Sequence, residues 1–385
     1  MYSRIKRLQR QLDEQGIDFA VIKNPTDVYY FTGTGTQATL IVPNDGEPTL
    51  LVRINYERAK RDCYIPDIRR SRGRQSVVEL LEQHDPETVG MALDIVPEQL
   101  VEGLVEAPST EMDVLDCSSS LLETRQQKGE TEVDAIEEAA AISEECLTAV
   151  PDLLEPGITE GELQSELEKI KRRNGAEPEM VFRQWNASNN FGVLASGPNT
   201  AEISGFWITN TGTGMHDGRP FGSSTRTISE GDVFLVDHGT LVDGYHSDEA
   251  RTYVVGEGRS DVERDIDILF ECLAAAKEAV EPGVSAGAPF NAAKAVAAEY
   301  DRADAFMALG QYGIEYVGHG VGLAIDEPPM LSPFSDVTLE AGMTLALEPK
   351  FIHNDQWGAT VEDTVLVTDD GYRTLTNSPR ELIRC

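Results

Sequence analysis

Apolar residues mark a helical stripe near the start of the chain. Ile5, Leu8 and Leu12 recur within residues 4–15, and Gly16 closes the run. Phe19 to Ile22 reads as a short buried strand, followed by a turn at Asn24-Pro25. Val28–Phe31 and Thr39–Val42 are strand-like. Asn44-Asp45-Gly46 is a hairpin signal, and Pro48 to Val52 is the returning strand. A helix around Val77–Leu81 and a strand at Met91–Ile95 complete a mixed α/β pattern over residues 1–125. The stretch Arg125 to Glu130 is polar and reads as a connection. Beyond it Val133, Ile136, Ala140 and Ile142 open a long helix. Glu155-Pro156-Gly157-Ile158-Thr159 ends that segment and starts another, with Leu163, Leu167 and Ile170 on one face. Residues 130–385 form the second domain.

The second domain echoes itself. Glu281-Pro282-Gly283-Val284-Ser285 repeats the earlier Glu-Pro-Gly pattern, again between two helical stretches. Gly231 lies six residues before Asp237, and Gly342 six residues before Glu348. Each of these acids ends an apolar run, and each run is followed by a second strand carrying another acid. The pattern predicts two related halves.

Charge narrows the field. The 385 residues carry 67 acidic against 32 basic side chains, a formal net charge of −35. The acid is spread along the chain, so it reads as a solvated face adapted to high salt, where screening is short-ranged; attraction of cationic partners is the competing reading. No basic stripe is available for phosphates, which argues against nucleic-acid binding. No apolar run approaches a membrane span, and Met1 to Gln15 lacks the pattern of a signal peptide, so the expected compartment is the cytoplasm. Cys63, Cys117, Cys146, Cys272 and Cys385 are widely spaced and odd in number, which fits small buried hydrophobes better than a disulfide frame or a cysteine zinc site.

The acids in strands carry the candidate chemistry. A hairpin centred near Val242 and Asp243 would set Asp237 opposite Asp248 on adjacent strands. A turn through His353 to Gln356 would set Glu348 opposite Glu362. Paired buried carboxylates repel unless a shared proton or a cation relieves them. An oxygen-rich set of this kind suits Mg, Mn or Co, singly or as a two-metal cluster, and His319, between Gly318 and Gly320, is the imidazole that would complete it.

With these residues in view, the chain resembles the creatinase, prolidase and methionine aminopeptidase superfamily, with the layout of Xaa-Pro dipeptidase and aminopeptidase P. The matching segments are Leu235-Val236-Asp237-His238-Gly239, Gly244 to Thr252, Gly318-His319-Gly320-Val321-Gly322, Glu348-Pro349 and Val361-Glu362-Asp363-Thr364. In the N-terminal segment they are Gly16-Ile17-Asp18, Asn24-Pro25 and Tyr30-Phe31-Thr32-Gly33. The resemblance implies an α/β N-terminal domain plus an α+β pita-bread catalytic domain built from two related halves. It implies two divalent metal ions (Mn, Co or Zn) held by Asp237, Asp248, His319, Glu348 and Glu362, with Asp248 and Glu362 bridging. It implies hydrolysis of Xaa-Pro bonds by water held between the metals, with Glu348 handling the proton. Short proline-containing peptides are then the substrates, and a homodimer is expected. Creatinase itself has lost the metal ligands, whereas all five are present here.

Departures from the pattern keep other readings open. Relatives carry a second histidine where this chain has Asp326, and an acid donates a hydrogen bond only when protonated. They also carry a histidine shortly after Ser-Gly-Pro-Asn. Here a glycine-rich stretch from Gly205 to Ser223 follows Asn199 and contains His216. His216 and His246, with Asp326 and Glu348, are therefore the candidate catalytic residues beyond the metal ligands. His238 should point away from the site. Arg251 should orient the ligands, and Tyr245 should pack beside them. The alternatives are an amidohydrolase acting on a small non-peptide nitrogen compound, and a noncatalytic binding protein on the same scaffold.

Overall fold

The N-terminal hydrophobic pattern resolves into a six-stranded sheet with helices against it. In the computed structural model, residues 2–105, 112–184, 189, 191–204, 209–309, 312–354 and 356–385 are described. Residues 205–208, the start of the glycine-rich stretch, lie outside the described residues. The chain divides into one unit of Met1–Arg125 with Arg183–Asn186 and another of Gln126–Phe182 with Ala187–Cys385.

In the first unit the order is α1 (Tyr2–Glu14), β1 (Phe19–Ile22), α2 (Pro25–Thr32), β2 (Ala38–Pro43), β3 (Thr49–Val52), α3 (Tyr56–Asp62), β4 (Asp67–Arg70), α4 (Arg74–Glu82), β5 (Thr88–Met91), α5 (Glu98–Val105), β6 (Asp113–Asp116) and α6 (Ser118–Gln126). The sheet runs β4-β3-β2-β1-β5-β6. β2 is antiparallel to both neighbours, and every other pair is parallel. The α1 stripe of Ile5, Leu8 and Leu12 is buried as its spacing requires. One face of the sheet packs Val21, Ile41 and Leu51 against Val77 and Leu81 of α4.

Two expectations fail in this unit. Val28–Phe31 is helical, inside α2. Asn24 Oδ1 accepts from the backbone N–H of Thr26 (2.9 Å) and Asp27 (3.2 Å), Pro25 occupies the first turn, and Gly33 closes the helix in the left-handed region. These capping signals override the β-rich composition of the run. The strand expected at Met91–Ile95 is β5, which ends at Met91. The amides of Ile95 and Val96 both turn back to the carbonyl of Ala92.

The second unit contains α7 (Glu130–Leu153), α8 (Glu160–Arg173), β7 (Gly192–Ser196), β8 (Val233–Val242), β9 (Tyr245–Val254), α9 (Ser260–Glu278), α10 (Ala288–Glu299), β10 (Ala308–Leu309), β11 (Tyr312–Gly313), β12 (Gly318–Gly320), β13 (Glu327–Met330), β14 (Thr344–Leu347), β15 (Lys350–His353), β16 (Trp357–Thr360), β17 (Asp363–Thr368), β18 (Gly371–Thr374) and β19 (Ile383–Arg384). Its larger sheets run β19-β9-β8-β7 and β13-β12-β14-β17-β18. Helices α7 and α8 cover the first, with Leu147, Val150 and Leu163 on Phe234 and Tyr253. Helices α9 and α10 cover the second, with Leu269, Leu273 and Phe290 in one core with Leu345 and Val365.

The internal echo extends to hydrogen bonds. Gly157 N–H donates to Ile228, and Gly283 N–H to Leu339. Ile228 N–H returns to Ile158, and Leu339 N–H to Val284. Gly231 N–H donates to Val255, and Gly342 N–H to Val367. The two Glu-Pro-Gly turns thus do the same work in the two halves, each tying a helix junction to the entry of an acid-bearing strand.

The β8–β9 hairpin corrects one register. Val242 pairs with Tyr245, so the loop is Asp243-Gly244, with φ of 48° and 82°. Positive φ at both central residues defines a type I′ turn, for which Asp-Gly is a strong signal. Asp237 therefore faces Ala250, and Asp248 faces Gly239. The shift is by two residues, so both acids keep the same face and meet diagonally. Gly244→Ala should destabilise the unit by about 1 kcal/mol or more, because alanine resists that φ. Urea unfolding midpoints of the two proteins check this; equal midpoints would contradict it.

Candidate metal centre

Moving a carboxylate out of water costs several kcal/mol unless a cation or hydrogen bonds compensate it. The second unit nevertheless gathers several acids. β8 and β9 present Asp237 and Asp248 on one face. An isolated bridge from Ala250 to Glu362 brings a third acid alongside, with Glu362 N–H donating to the Ala250 carbonyl at 3.0 Å. Leu347 pairs with Asp363, and Lys350 with Thr360, so Glu348 and Glu362 fall at the break between these two ladders. β12 lies between β13 and β14 and carries His319. A Cβ on Gly320 would fall against the Glu327 and Pro328 carbonyls, and one on Gly318 against that of Ala346, so only glycine fits on either side of His319.

One ligand atom from each of Asp248, His319 and Glu362 lies within 4.8 Å of the others, and all three residues are buried. His319 Nε2 stands 3.0 Å from Asp326 Oδ1, 3.7 Å from Glu348 Oε1 and 3.8 Å from Asp248 Oδ2. The Gly320 carbonyl accepts from Nδ1 at 3.1 Å, which turns Nε2 toward the acids.

The electrostatics record the crowding. Burial and the Asp237 charge raise the Asp248 carboxyl well above its ordinary range. Burial and the Asp248 charge do the same to Glu362. Burial lifts Asp237 to about 6, partly offset by Lys350. Burial opposes the His319 cation, but Asp326, Glu348 and Asp248 outweigh it and push the imidazole up to about 9. Excess negative charge in a dry site, with three donor atoms already converging, is what a divalent cation relieves; oxygen donors with one imidazole suit such an ion. The residues present fit a metal.

A frame of ion pairs holds the acids in place. Arg251 is buried; its Nη1 donates to the Glu362 carbonyl at 2.5 Å, and its Nη2 to Asp363 Oδ1 at 2.8 Å. Asp363 also pairs with Lys277 (2.6 Å) and Arg380 (2.8 Å). Burial would raise the Asp363 carboxyl, but Arg251, Lys277 and Arg380 prevail and lower it. Thr364 Oγ1 donates to the Asp248 carbonyl at 2.7 Å, which couples β17 to β9. Glu327, next to Asp326, turns instead to Lys128 Nζ at 2.7 Å.

The histidines divide. His246 is buried, but its Nε2 accepts from Val181 N–H (3.0 Å) and its Nδ1 donates to the Gly322 carbonyl (2.9 Å), so the ring pins backbone. His216 lies in an exposed turn, where its Nδ1 accepts from Gly218 N–H, and the structure does not bring it to the acids. His238 turns away from them, stacking on Phe191 with Nε2 3.2 Å from Ser143 Oγ. Tyr245 donates to Glu132 of α7 at 2.7 Å.

Two residues near the acids escaped the sequence reading. Lys350 is fully buried and donates to Glu348 Oε2 and Thr209 Oγ1, both at 2.6 Å. Its signal was the Glu-Pro-Lys spacing, because residues two apart on an extended chain share a face. The Tyr316 phenol is pushed well above its ordinary value by burial and by the charges of Glu348, Asp326, Asp237 and Glu362. It therefore stays protonated beside them, and nothing in its local sequence announced that.

A buried cluster of carboxylates with one imidazole, set on antiparallel strands, defines a candidate centre for a divalent metal. Residues 134–369 match the model of metallopeptidase family M24, and residues 4–127 match that of the creatinase/prolidase N-terminal domain. The chain belongs to metallopeptidase family M24. It is 29% identical to the Xaa-Pro dipeptidase of Pyrococcus furiosus over all of both chains. The solved prolidase from Pyrococcus furiosus superposes with a TM-score of 0.81 at 28% identity, covering 96% of this chain and 99% of that one. The Xaa-Pro dipeptidase from Bacillus anthracis superposes at 0.86 with 25% identity, covering 100% and 99%. Among the described residues no helix is long and apolar enough to cross a membrane.

Lys350→Met tests the internal cation. It leaves Glu348 unpaired among other acids, so the metal-free variant should lose about 3–5 kcal/mol of stability. Added Mn should restore part of the loss. Urea unfolding with and without Mn measures both; an unchanged metal-free protein would contradict the role.

Proposed function

We propose that this metallopeptidase cleaves the bond preceding proline in short peptides, with two divalent ions (Mn, Co or Zn) held by Asp237, Asp248, His319, Glu348 and Glu362. The observation that carries the reading is the convergence of the Asp248, His319 and Glu362 donor atoms, all three residues being buried. The full-length likeness to Xaa-Pro dipeptidases supports the substrate class. A divalent cation in such a site polarises the scissile carbonyl and lowers the pKa of water.

The side chains supply the rest. Lys350 occupies Glu348 Oε2, so Glu348 Oε1, on the His319 side, is the atom that takes a proton from water and passes it to the departing proline nitrogen. Asp326 is paired with His319 and is a poor donor to a carbonyl oxygen. We assign that part to the Tyr316 hydroxyl, which stays protonated in the field of Glu348, Asp326, Asp237 and Glu362 and so is a neutral donor. Arg251 keeps the Glu362 backbone in place while charge shifts across the site.

One observation favours a second reading. Asp326 places a further carboxylate 3.0 Å from His319 Nε2, which suits a cationic small amide better than a peptide's terminal carboxylate. A panel of Xaa-Pro dipeptides, longer Xaa-Pro peptides and non-proline controls, run on metal-free protein after adding Mn or Co, separates the two. Metal-dependent cleavage before proline is the expected result; bound metal without peptide cleavage would favour the small amide.

Variants test the roles. Asp248→Ala or Glu362→Ala should abolish metal retention and hydrolysis together, and normal turnover with full metal content would refute their assignment. Tyr316→Phe should lower kcat by about a hundredfold with KM little changed, the size expected for one oxyanion donor. Asp326→His should change preference across the peptide panel more than it changes the unfolding midpoint.

A further inference from the structure

The N-terminal unit contains a cavity of about 300 Å³, and the described residues that line it all belong to that unit. It opens where the parallel strands end. Lys23 follows β1, Arg53 follows β3, Ser71 follows β4, and Met91 is the last residue of β5. In open α/β sheets this carboxyl edge is where small ligands settle. The floor is apolar, built from Val21, Leu51 and Leu104 of the sheet core, and Leu100 forms an exposed wall. The rim is cationic, made by Lys23, Arg53 and Arg74.

Charge selection sets this cavity apart. The chain has about two acids for every base, yet among the described residues none that lines the cavity carries a carboxylate. Elsewhere in the same unit Arg61, Arg69, Arg70 and Arg72 each pair with an acid. Among the described residues, Arg53 and Arg74 have no side-chain hydrogen bond or ion pair. Arg74 lies across Gly103, where a Cβ would meet its guanidinium at 3.1 Å. Lys23 donates only to the neutral Thr39 hydroxyl, at 3.2 Å. Burial and then the Arg53 charge lower the Lys23 ammonium from its ordinary value, as for cations grouped without a counter-ion. Arg53 and Arg74 are exposed and Lys23 is half-buried, so the rim presents three cations with no acid among the described lining residues, and a bound anion would pair with them.

We propose that this cavity is a binding site for a small organic anion, with a phosphate or carboxylate head against Arg53, Arg74 and Lys23 and an apolar body on the sheet core. The guanidinium groups match either head by paired N–H donors. The apolar floor distinguishes such a ligand from inorganic phosphate. This site is separate from the metal centre and does not depend on the peptidase reading.

The test is calorimetric titration of the full-length, metal-loaded protein with phenyl phosphate, phenylacetate and neutral benzyl alcohol. One saturable site per chain for at least one of the anions, and none for benzyl alcohol, is expected; the tighter anion identifies the head group. Arg53→Gln and Arg74→Gln should each weaken that binding by about tenfold or more, the scale of a lost hydrogen bond to a charged group. Both variants should hydrolyse peptide as the parent does, and Lys60→Gln should bind the anion normally. No saturable binding of either anion overturns the proposal. Binding unchanged in both arginine variants also overturns it, because the probe then sits elsewhere. A change of oligomeric mass in those variants overturns it too, by assigning the cations to contact with a second copy.

Discussion

Carboxylates held together out of water repel one another, and the second unit is arranged around that repulsion. Asp248, Glu348 and Glu362 come from different parts of two hairpins that gather them around His319 and Asp326, and the Asp237 charge acts on the same cluster. Burial and mutual charge raise several of their proton affinities, so without a cation the site holds protons that it would otherwise release. Acidity near the metal is therefore a source of both affinity and instability.

The surrounding frame is built from cations that do not compete for the centre. Arg251, Lys277 and Arg380 converge on Asp363, one residue beyond Glu362, and keep that backbone fixed. Lys128 draws Glu327 away, which leaves Asp326 to face His319. Lys350 stands closer and neutralises one oxygen of Glu348. Breaking such pairs singly is costly because the remaining charge stays buried. The same logic, reversed in sign, sets the cation-rimmed cavity of the N-terminal unit apart from the rest of the acidic chain.

Much of this was legible in the sequence, for identifiable reasons. The strand acids stood out because apolar runs ending in carboxylates are expensive, and the doubled Glu-Pro-Gly turns announced two halves that the hydrogen bonds repeat. The β8–β9 register follows the Asp243-Gly244 turn, one position beyond the centre that setting Asp237 opposite Asp248 predicts. Val28–Phe31 has the composition of a strand, and the Asn24-Pro25 cap decides for helix. His246 could not be separated from a catalytic histidine by spacing, since its partners, Val181 and Gly322, are distant in sequence. Tyr316 and the cavity cations were invisible for the same reason: each depends on which distant elements the fold brings together.

A divalent cation entering this centre displaces protons from the buried acids and His319. Calorimetric titration of metal-free protein with Mn at pH 7, repeated in two buffers of different ionisation enthalpy, measures that exchange directly. With His319 held at about 9 in the metal-free protein, and Asp248 and Glu362 raised, binding should release at least one proton per chain. Binding with no proton release, or no binding at all, would contradict the account.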